Sequence, residues 1–183
     1  MDNVLDLPWT TESFLAWEDR QESKYEFDGR DVIAMTGGSY AHQRMVFNLC
    51  LGWMGLLRGR PLLPAQEMQL RIGRRIRYPD VVVCTAPLDQ TTRTLTDAVA
   101  IFEVLSDDTA ATDRVTKLSE YADVASLRVY VLLEQSQIAA TMFRREAGGQ
   151  WVASPHTAGG LELPGLDITL PLSAVYEGLS FPG

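Results

Sequence analysis

Cysteine is scarce in this chain, with only Cys50 and Cys84 in 183 residues, each inside an apolar segment and at no metal-ligand spacing. That excludes a disulfide framework and a Cys/His zinc site, and it makes both thiols small buried hydrophobes of a reducing compartment. No apolar run is long enough to cross a bilayer. The acidic opening Met1-Asp2-Asn3-Val4-Leu5-Asp6 is the opposite of a basic secretory signal. A cytoplasmic protein with no membrane partner is expected. Internal repeats and low-complexity segments are missing, and no nucleophile-elbow pattern surrounds a serine. Gly37-Gly38-Ser39 lacks the Gly-Lys-Ser/Thr ending of a phosphate loop.

Positive charge is also short. Sixteen Lys and Arg against 24 Asp and Glu leave a net charge of −8, which opposes general attraction to nucleic acid. The distribution is uneven. Residues 1–31 hold nine acidic and three basic side chains, whereas 58–77 holds Arg58, Arg60, Arg71, Arg74, Arg75 and Arg77 against Glu67 alone. On charge alone this basic segment reads as a solvated hairpin.

What is present is 46% hydrophobic residues, enough for one domain over residues 1–183 with a proper core. Thr10-Thr11-Glu12-Ser13 offers caps for a short helix carrying Phe14, Leu15 and Trp17. Residues 25–35 read as a hairpin turning at Asp28-Gly29. Ser39 caps a helix with Ala41, Met45, Leu49, Trp53 and Leu56 at helical spacing. Met68, Leu70 and Ile72 alternate with polar residues, and Gly73-Arg74 turns the chain toward Tyr78-Pro79-Asp80 and the apolar run 81–84. Residues 98–105 form a strand ending at Ser106-Asp107-Asp108-Thr109, which caps a helix with Ala111, Val115, Leu118 and Ala122 as its buried stripe. Strands follow at 127–133, 138–143 and 151–153, with Gly148-Gly149 turning the last pair, and the leucine-rich tail reads as edge strands. The 98–133 strand–helix–strand unit between hairpins predicts an α/β domain with a mixed sheet.

Glu103 sits in the middle of the apolar run Val99-Ala100-Ile101-Phe102-Glu103-Val104-Leu105, where an ionised carboxylate is costly without a partner. Asp80 lies on the neighbouring strand if the chain makes its short connection in the usual way. Two hard oxygen donors meeting at one sheet edge suit Mg²⁺ or Mn²⁺. Taken singly, Asp80 reads as a solvent-facing acid at a strand end.

These blocks together resemble the Uma2-type (DUF820) endonucleases of the PD-(D/E)xK nuclease superfamily. The resemblance rests on Tyr25-Glu26-Phe27-Asp28-Gly29, the Ser39…His42 helix start, Tyr78-Pro79-Asp80-Val81-Val82-Val83, Glu103-Val104-Leu105-Ser106, Asp113…Lys117…Tyr121 and Tyr130-Val131-Leu132. It implies a restriction-endonuclease-like mixed β-sheet flanked by helices, with Asp80 and Glu103 as catalytic, metal-binding acids and Glu26 as an upstream glutamate completing the metal shell. The superfamily lysine two residues after the second acid is replaced here by Leu105. Lys117 on the following helix is the candidate substitute, against the alternative of a surface lysine paired with Asp113. His42, Gln66, Glu67 and Tyr121 are secondary candidates, and His156 reads as surface. The resulting expectation is a Mg²⁺- or Mn²⁺-dependent endonuclease acting on DNA, with Arg71, Arg74, Arg75 and Arg77 as backbone contacts. The alternatives are a metal-free interaction or scaffold domain that has lost turnover, and hydrolysis of a smaller phosphate ester. A homodimer is the default assembly.

Overall fold

A computed structural model describes residues 9–105 and 116–181. The expected cap at 106–109 and the residues Ala111, Asp113 and Val115 lie outside the described residues.

The chain begins with helix α1 (Thr11–Glu18), closed by reciprocal hydrogen bonds between Thr10 and Ser13. Strands β1 (Tyr25–Phe27) and β2 (Val32–Ala34) follow as a hairpin, turned where Gly29 takes a φ of 96°. Helix α2 (Tyr40–Leu56) starts at Ser39, whose Oγ accepts the His42 N–H at 3.1 Å. Then come β3 (Leu62–Gln66), β4 (Gln69–Ile72), β5 (Arg75–Arg77), β6 (Val81–Thr85), β7 (Thr94–Leu95) and β8 (Ala100–Val104). The short helix α3 (Leu118–Tyr121) precedes β9 (Val129–Leu133), β10 (Ala140–Arg145) and β11 (Trp151–His156). A last hairpin, β12 (Gly160–Leu163) and β13 (Ile168–Pro171), leads into α4 (Leu172–Val175).

Among the described residues the strands form a five-stranded sheet in the order β2-β1-β5-β4-β7, a six-stranded sheet in the order β11-β10-β9-β8-β6-β3, and the β12-β13 pair. The larger sheet is mixed, because β8 and β9 run parallel while its other neighbours run antiparallel. That parallel pair is the crossover expected from the sequence. Strand β3 escaped the sequence reading because Pro64 interrupts it, and proline is tolerated there since β3 is an edge.

Alternation along β6 and β8 divides the core. Val81, Val83, Ala100, Phe102 and Val104 face α2, which contributes Met45, Leu49 and Trp53. Val82, Cys84, Ile101 and Leu105 face the other way, toward Tyr121, Leu127 and Tyr130. Leu56 proves 37% exposed, and Leu57 takes the buried place expected for it. The tail is not an edge of the main sheet. Its leucines pack as a separate hairpin onto α2, so tightly that a Cβ at Gly52 would lie 2.4 Å from Leu170 Cδ1.

Candidate active site

Strand β5 of the smaller sheet passes into β6 of the larger one through Tyr78-Pro79-Asp80 alone. Val81 pairs with Phe102 in the antiparallel β6–β8 ladder, so the next step of the register sets Asp80 opposite Glu103. Two-residue alternation then puts Asp80 on the face of Val82 and Cys84, and Glu103 on the face of Ile101 and Leu105. That is one face of one sheet. Each carboxylate bonds to the other's strand. Asp80 Oδ2 accepts the Val104 N–H at 2.7 Å, and Glu103 Oε2 accepts the Asp80 N–H at 3.3 Å.

Glu103 is 3% exposed, so the cost of its charge has to be met locally. Lys117 Nζ lies 3.0 Å from Glu103 Oε1, and the Tyr121 hydroxyl donates to the same oxygen at 2.7 Å. Burial, together with the Glu103 charge, pushes the Tyr121 hydroxyl well above its ordinary pKa, so it stays a donor. The buried face of the α3 segment is therefore polar: Lys117, Glu120 and Tyr121 point inward, while Leu118, expected in an apolar stripe, is only half-buried. Lys117 is 8% exposed and does not read as a surface lysine. Leu105, where the superfamily lysine would stand, is part of the core at 4% exposure.

Glu26 differs from its expected place in a metal shell. Its Oε2 accepts from Arg77 Nη1 at 2.8 Å and its Oε1 accepts the Tyr78 N–H at 3.1 Å, with Lys117 Nζ at 3.8 Å. A carboxylate held by a guanidinium is engaged already. Arg77 is the corresponding correction among the proposed DNA contacts, being 1% exposed and bound bidentately by Glu120 at 2.7 and 2.8 Å. Burial alone would lower the Arg77 pKa, but the hydrogen bonds and charges of Glu120 and Glu26 raise it overall. Arg71 pairs with Glu12 and Arg75 with Asp123, on a hairpin away from the cavity. Arg74 is exposed at that hairpin's turn.

His42 comes from the first turn of α2, where Ser39 caps the helix, and its Nε2 lies 3.1 Å from Asp80 Oδ1. Burial by itself lowers its pKa, but the hydrogen bond and charge of Asp80, aided by Glu103 and Glu67, raise it on balance. The other ring nitrogen, Nδ1, is buried without a partner, and a Cβ on Gly38 would come within 2.5 Å of it. Asp80, Glu103, Lys117, Glu26, His42 and Glu67 line one cavity of about 970 Å³. Glu67 holds a φ of 46°, in the left-handed region costly for a residue with a Cβ, while its N–H bonds the Asp80 carbonyl and its carboxylate pairs with Lys24. Gln66 is exposed and is not part of the lining.

Two features of the cavity, and Glu120 behind it, escaped the sequence reading. Glu120 was legible in principle, because positions 117, 120 and 121 share one helix face. Gln135, which donates to the Leu105 carbonyl at 2.6 Å, and the close approach of Gly38 to His42 left no such signal.

The donor set suits a hard divalent cation. Asp80 and Glu103 supply four carboxylate oxygens, each engaged by one or two of the donors named above, and carboxylate oxygens have further lone pairs. Among the described residues no group of three or more His, Cys, Asp or Glu side chains stands ready to hold a metal. Two carboxylates are what Mg²⁺ needs from a protein when water and a phosphate supply the rest.

A mixed sheet flanked by helices, with two acids at the junction of antiparallel strands, defines a nuclease-like fold. The chain superposes on the crystal structure of "a putative nuclease belonging to DUF820" from Anabaena variabilis with a TM-score of 0.78, covering 92% of this chain and 98% of that one at 14% identity. The sequence model of the Uma2 family, "Putative restriction endonuclease", matches residues 11–174, and the chain belongs to that family. Two uncharacterized proteins of Synechocystis sp. are relatives. One, slr1290, is 29% identical over 175 residues, covering 93% of this chain and 92% of its own. The other, sll1609, is 26% identical over 159 residues, covering 78% and 84%.

Proposed function

We propose that the protein is a Mg²⁺- or Mn²⁺-dependent endonuclease that hydrolyses phosphodiester bonds in DNA. The observation that supports this best is the pairing of Asp80 and Glu103 on one sheet face with Lys117 Nζ 3.0 Å from Glu103. Asp80 and Glu103 would hold the cation, which supplies charge stabilisation at a phosphate oxygen and a more acidic bound water.

The chain's own residues do the remaining work. Lys117 carries the ammonium that Leu105 cannot, and from its position beside Glu103 it stabilises the negative charge that grows on the phosphate during attack. Tyr121 fixes Glu103 from the side opposite the substrate by donating to Oε1. His42 orients Asp80 through Oδ1 and is the nearest group able to exchange a proton at that edge. Glu26 and Glu120, joined through Arg77, hold Lys117 and its helix in place.

The test combines thermal melting with cleavage of supercoiled and single-stranded DNA. Mn²⁺ at a hundred times its dissociation constant is expected to add about 2.7 kcal/mol to folding stability by mass action. Asp80→Asn and Glu103→Gln should remove that increment and abolish cleavage without unfolding the chain. Absence of both cleavage and a Mn²⁺ response in the unmutated protein would instead favour a binding or scaffold domain on the nuclease fold.

A further inference from the structure

The inner face of α2 is buried in the core, but its outer face is not polar. Tyr40, Phe47, Leu51 and Met54 follow at spacings of seven, four and three, which places them in one stripe. They are 70%, 52%, 54% and 63% exposed. Arg44 lies at the margin of the same stripe, exposed Arg58 follows just beyond the helix end, and the helix contains no acidic residue at all. Gly55 leaves open ground at its margin, since a Cβ there meets nothing within 4 Å.

We propose that this stripe is the interface of a two-fold symmetric dimer in which the α2 helices of two copies cross antiparallel. The pattern is self-complementary only in that sense. With the axis passing midway between Phe47 and Leu51, Phe47 meets Leu51 of the partner subunit. Arg44, whose guanidinium lies 5.9 Å from the Tyr40 ring centroid of its own helix, lays its aliphatic stem on Met54 of the partner subunit. A parallel pairing would stack Arg44 on Arg44 and Arg58 on Arg58 with no carboxylate on the helix to offset them.

The area agrees with a second copy as the occupant. With side chains of order 200 Å² each, the four exposed residues present about 500 Å² on each copy, so a symmetric pair buries about the 1,000 Å² in total that a specific interface must clear. A stable interface takes about 800 Å² per partner, and the stems of Arg44 and Arg58 extend the stripe toward that figure. An anionic membrane is the poorer occupant, because a chain of net charge −8 brings only two arginines to this face.

Sedimentation or light scattering on the full chain tests the proposal, and the outcome does not depend on nuclease activity. The expected mass is twice 20.3 kDa, falling toward 20.3 kDa on dilution. Leu51→Glu should raise the dissociation constant at least tenfold, by setting two carboxylates beside the axis. Met54→Glu should leave the dimer intact, because its carboxylate faces Arg44 of the partner subunit. Both positions are more than half exposed, so unchanged circular dichroism verifies the fold of each variant. A wild-type mass of 20.3 kDa at every concentration overturns the proposal, with or without sedimentation on anionic vesicles. Dimers that survive Leu51→Glu overturn it as well, and equal dissociation by both variants overturns the antiparallel register.

Discussion

Gly37 and Gly38 are neighbours with opposite tolerances. A Cβ at Gly37 meets nothing within 4 Å, whereas one at Gly38 would sit 2.5 Å from His42 Nδ1 and 2.7 Å from Cγ. An imidazole cannot yield there without leaving Asp80. Gly38→Ala is therefore expected to cost about 1–3 kcal/mol by overpacking, a loss of several degrees in melting temperature. Gly37→Ala should be close to silent, and equal melting temperatures for the two variants would show that the loop absorbs the methyl group. Arg77 offers a second contrast. If it contacted DNA, Arg77→Met would weaken DNA binding and leave stability alone. Because it bridges Glu26 and Glu120 in the interior, the substitution is expected instead to destabilise the fold by about 3–5 kcal/mol in urea unfolding, leaving two buried carboxylates with only the more distant Lys117 at 3.8 Å and Arg75 at 3.6 Å as counter-charges.

At the scale of elements, the proposed function has Lys117, at the N-terminal edge of α3, supply the ammonium that β8 lacks. Lys117→Met should abolish metal-dependent turnover while leaving the Mn²⁺ shift in melting temperature nearly intact, because the ammonium acts on phosphate rather than on the cation. Adding Leu105→Lys returns an ammonium to the Glu103 face of β8 and should restore part of the turnover. Its cost in stability should show in the same melts, since Leu105 is core. Wild-type turnover in Lys117→Met would reduce the lysine to a structural counter-charge for Glu103. Most elements were legible in the sequence because capping and alternation are local signals: Ser39 before α2, Thr10 before α1, Asp28-Gly29 between β1 and β2. The pairing of Asp80 with Glu103 was legible too, from strand order. The Arg77–Glu120 pair was not, because it joins residues 43 apart in sequence, and nothing local distinguishes a buried arginine from its neighbours, exposed Arg74 and half-buried Arg75. Proline hid β3 for a similar reason, since only tertiary context made it an edge.

For the whole molecule, neutral thiols and phenols held away from water, Cys84 and Tyr176 together with Cys50, Tyr78 and Tyr121, set the alkaline limit of stability. Burial, with the Asp97 charge second, pushes the Cys84 thiol up to about 11 from its ordinary 9.0. Burial likewise pushes the Tyr176 hydroxyl up to about 12 from 10.0. Both ionise more readily in the unfolded chain. Their contribution is therefore whole below the unfolded values and is lost as pH rises through the folded ones, at up to about 1.4 kcal/mol per pH unit for each group. Denaturant unfolding should show stability starting to fall above pH 9.0. Cys84→Ala should make the decline between pH 9.0 and 10.0 shallower, leaving the share that belongs to Cys50. A decline unchanged by the substitution would assign it to other groups.

The three residues that join β5 to β6 carry a consequence of a mechanical kind. Arg77 is locked to Glu26 and Glu120, the Tyr78 hydroxyl donates to Glu18 on α1, and Asp80 bonds across to β8 and α2. Sliding of the small sheet against the large one strains this tripeptide together with the Glu67-Met68 link from β3 to β4, which bonds it through the Glu67 N–H and the Asp80 carbonyl, and Asp80 is the tripeptide's last residue. The spacing of the two acids thus works as a gauge of the shear between the sheets. A cation held by both acids would act as a rivet, resisting that slip at its point of greatest leverage.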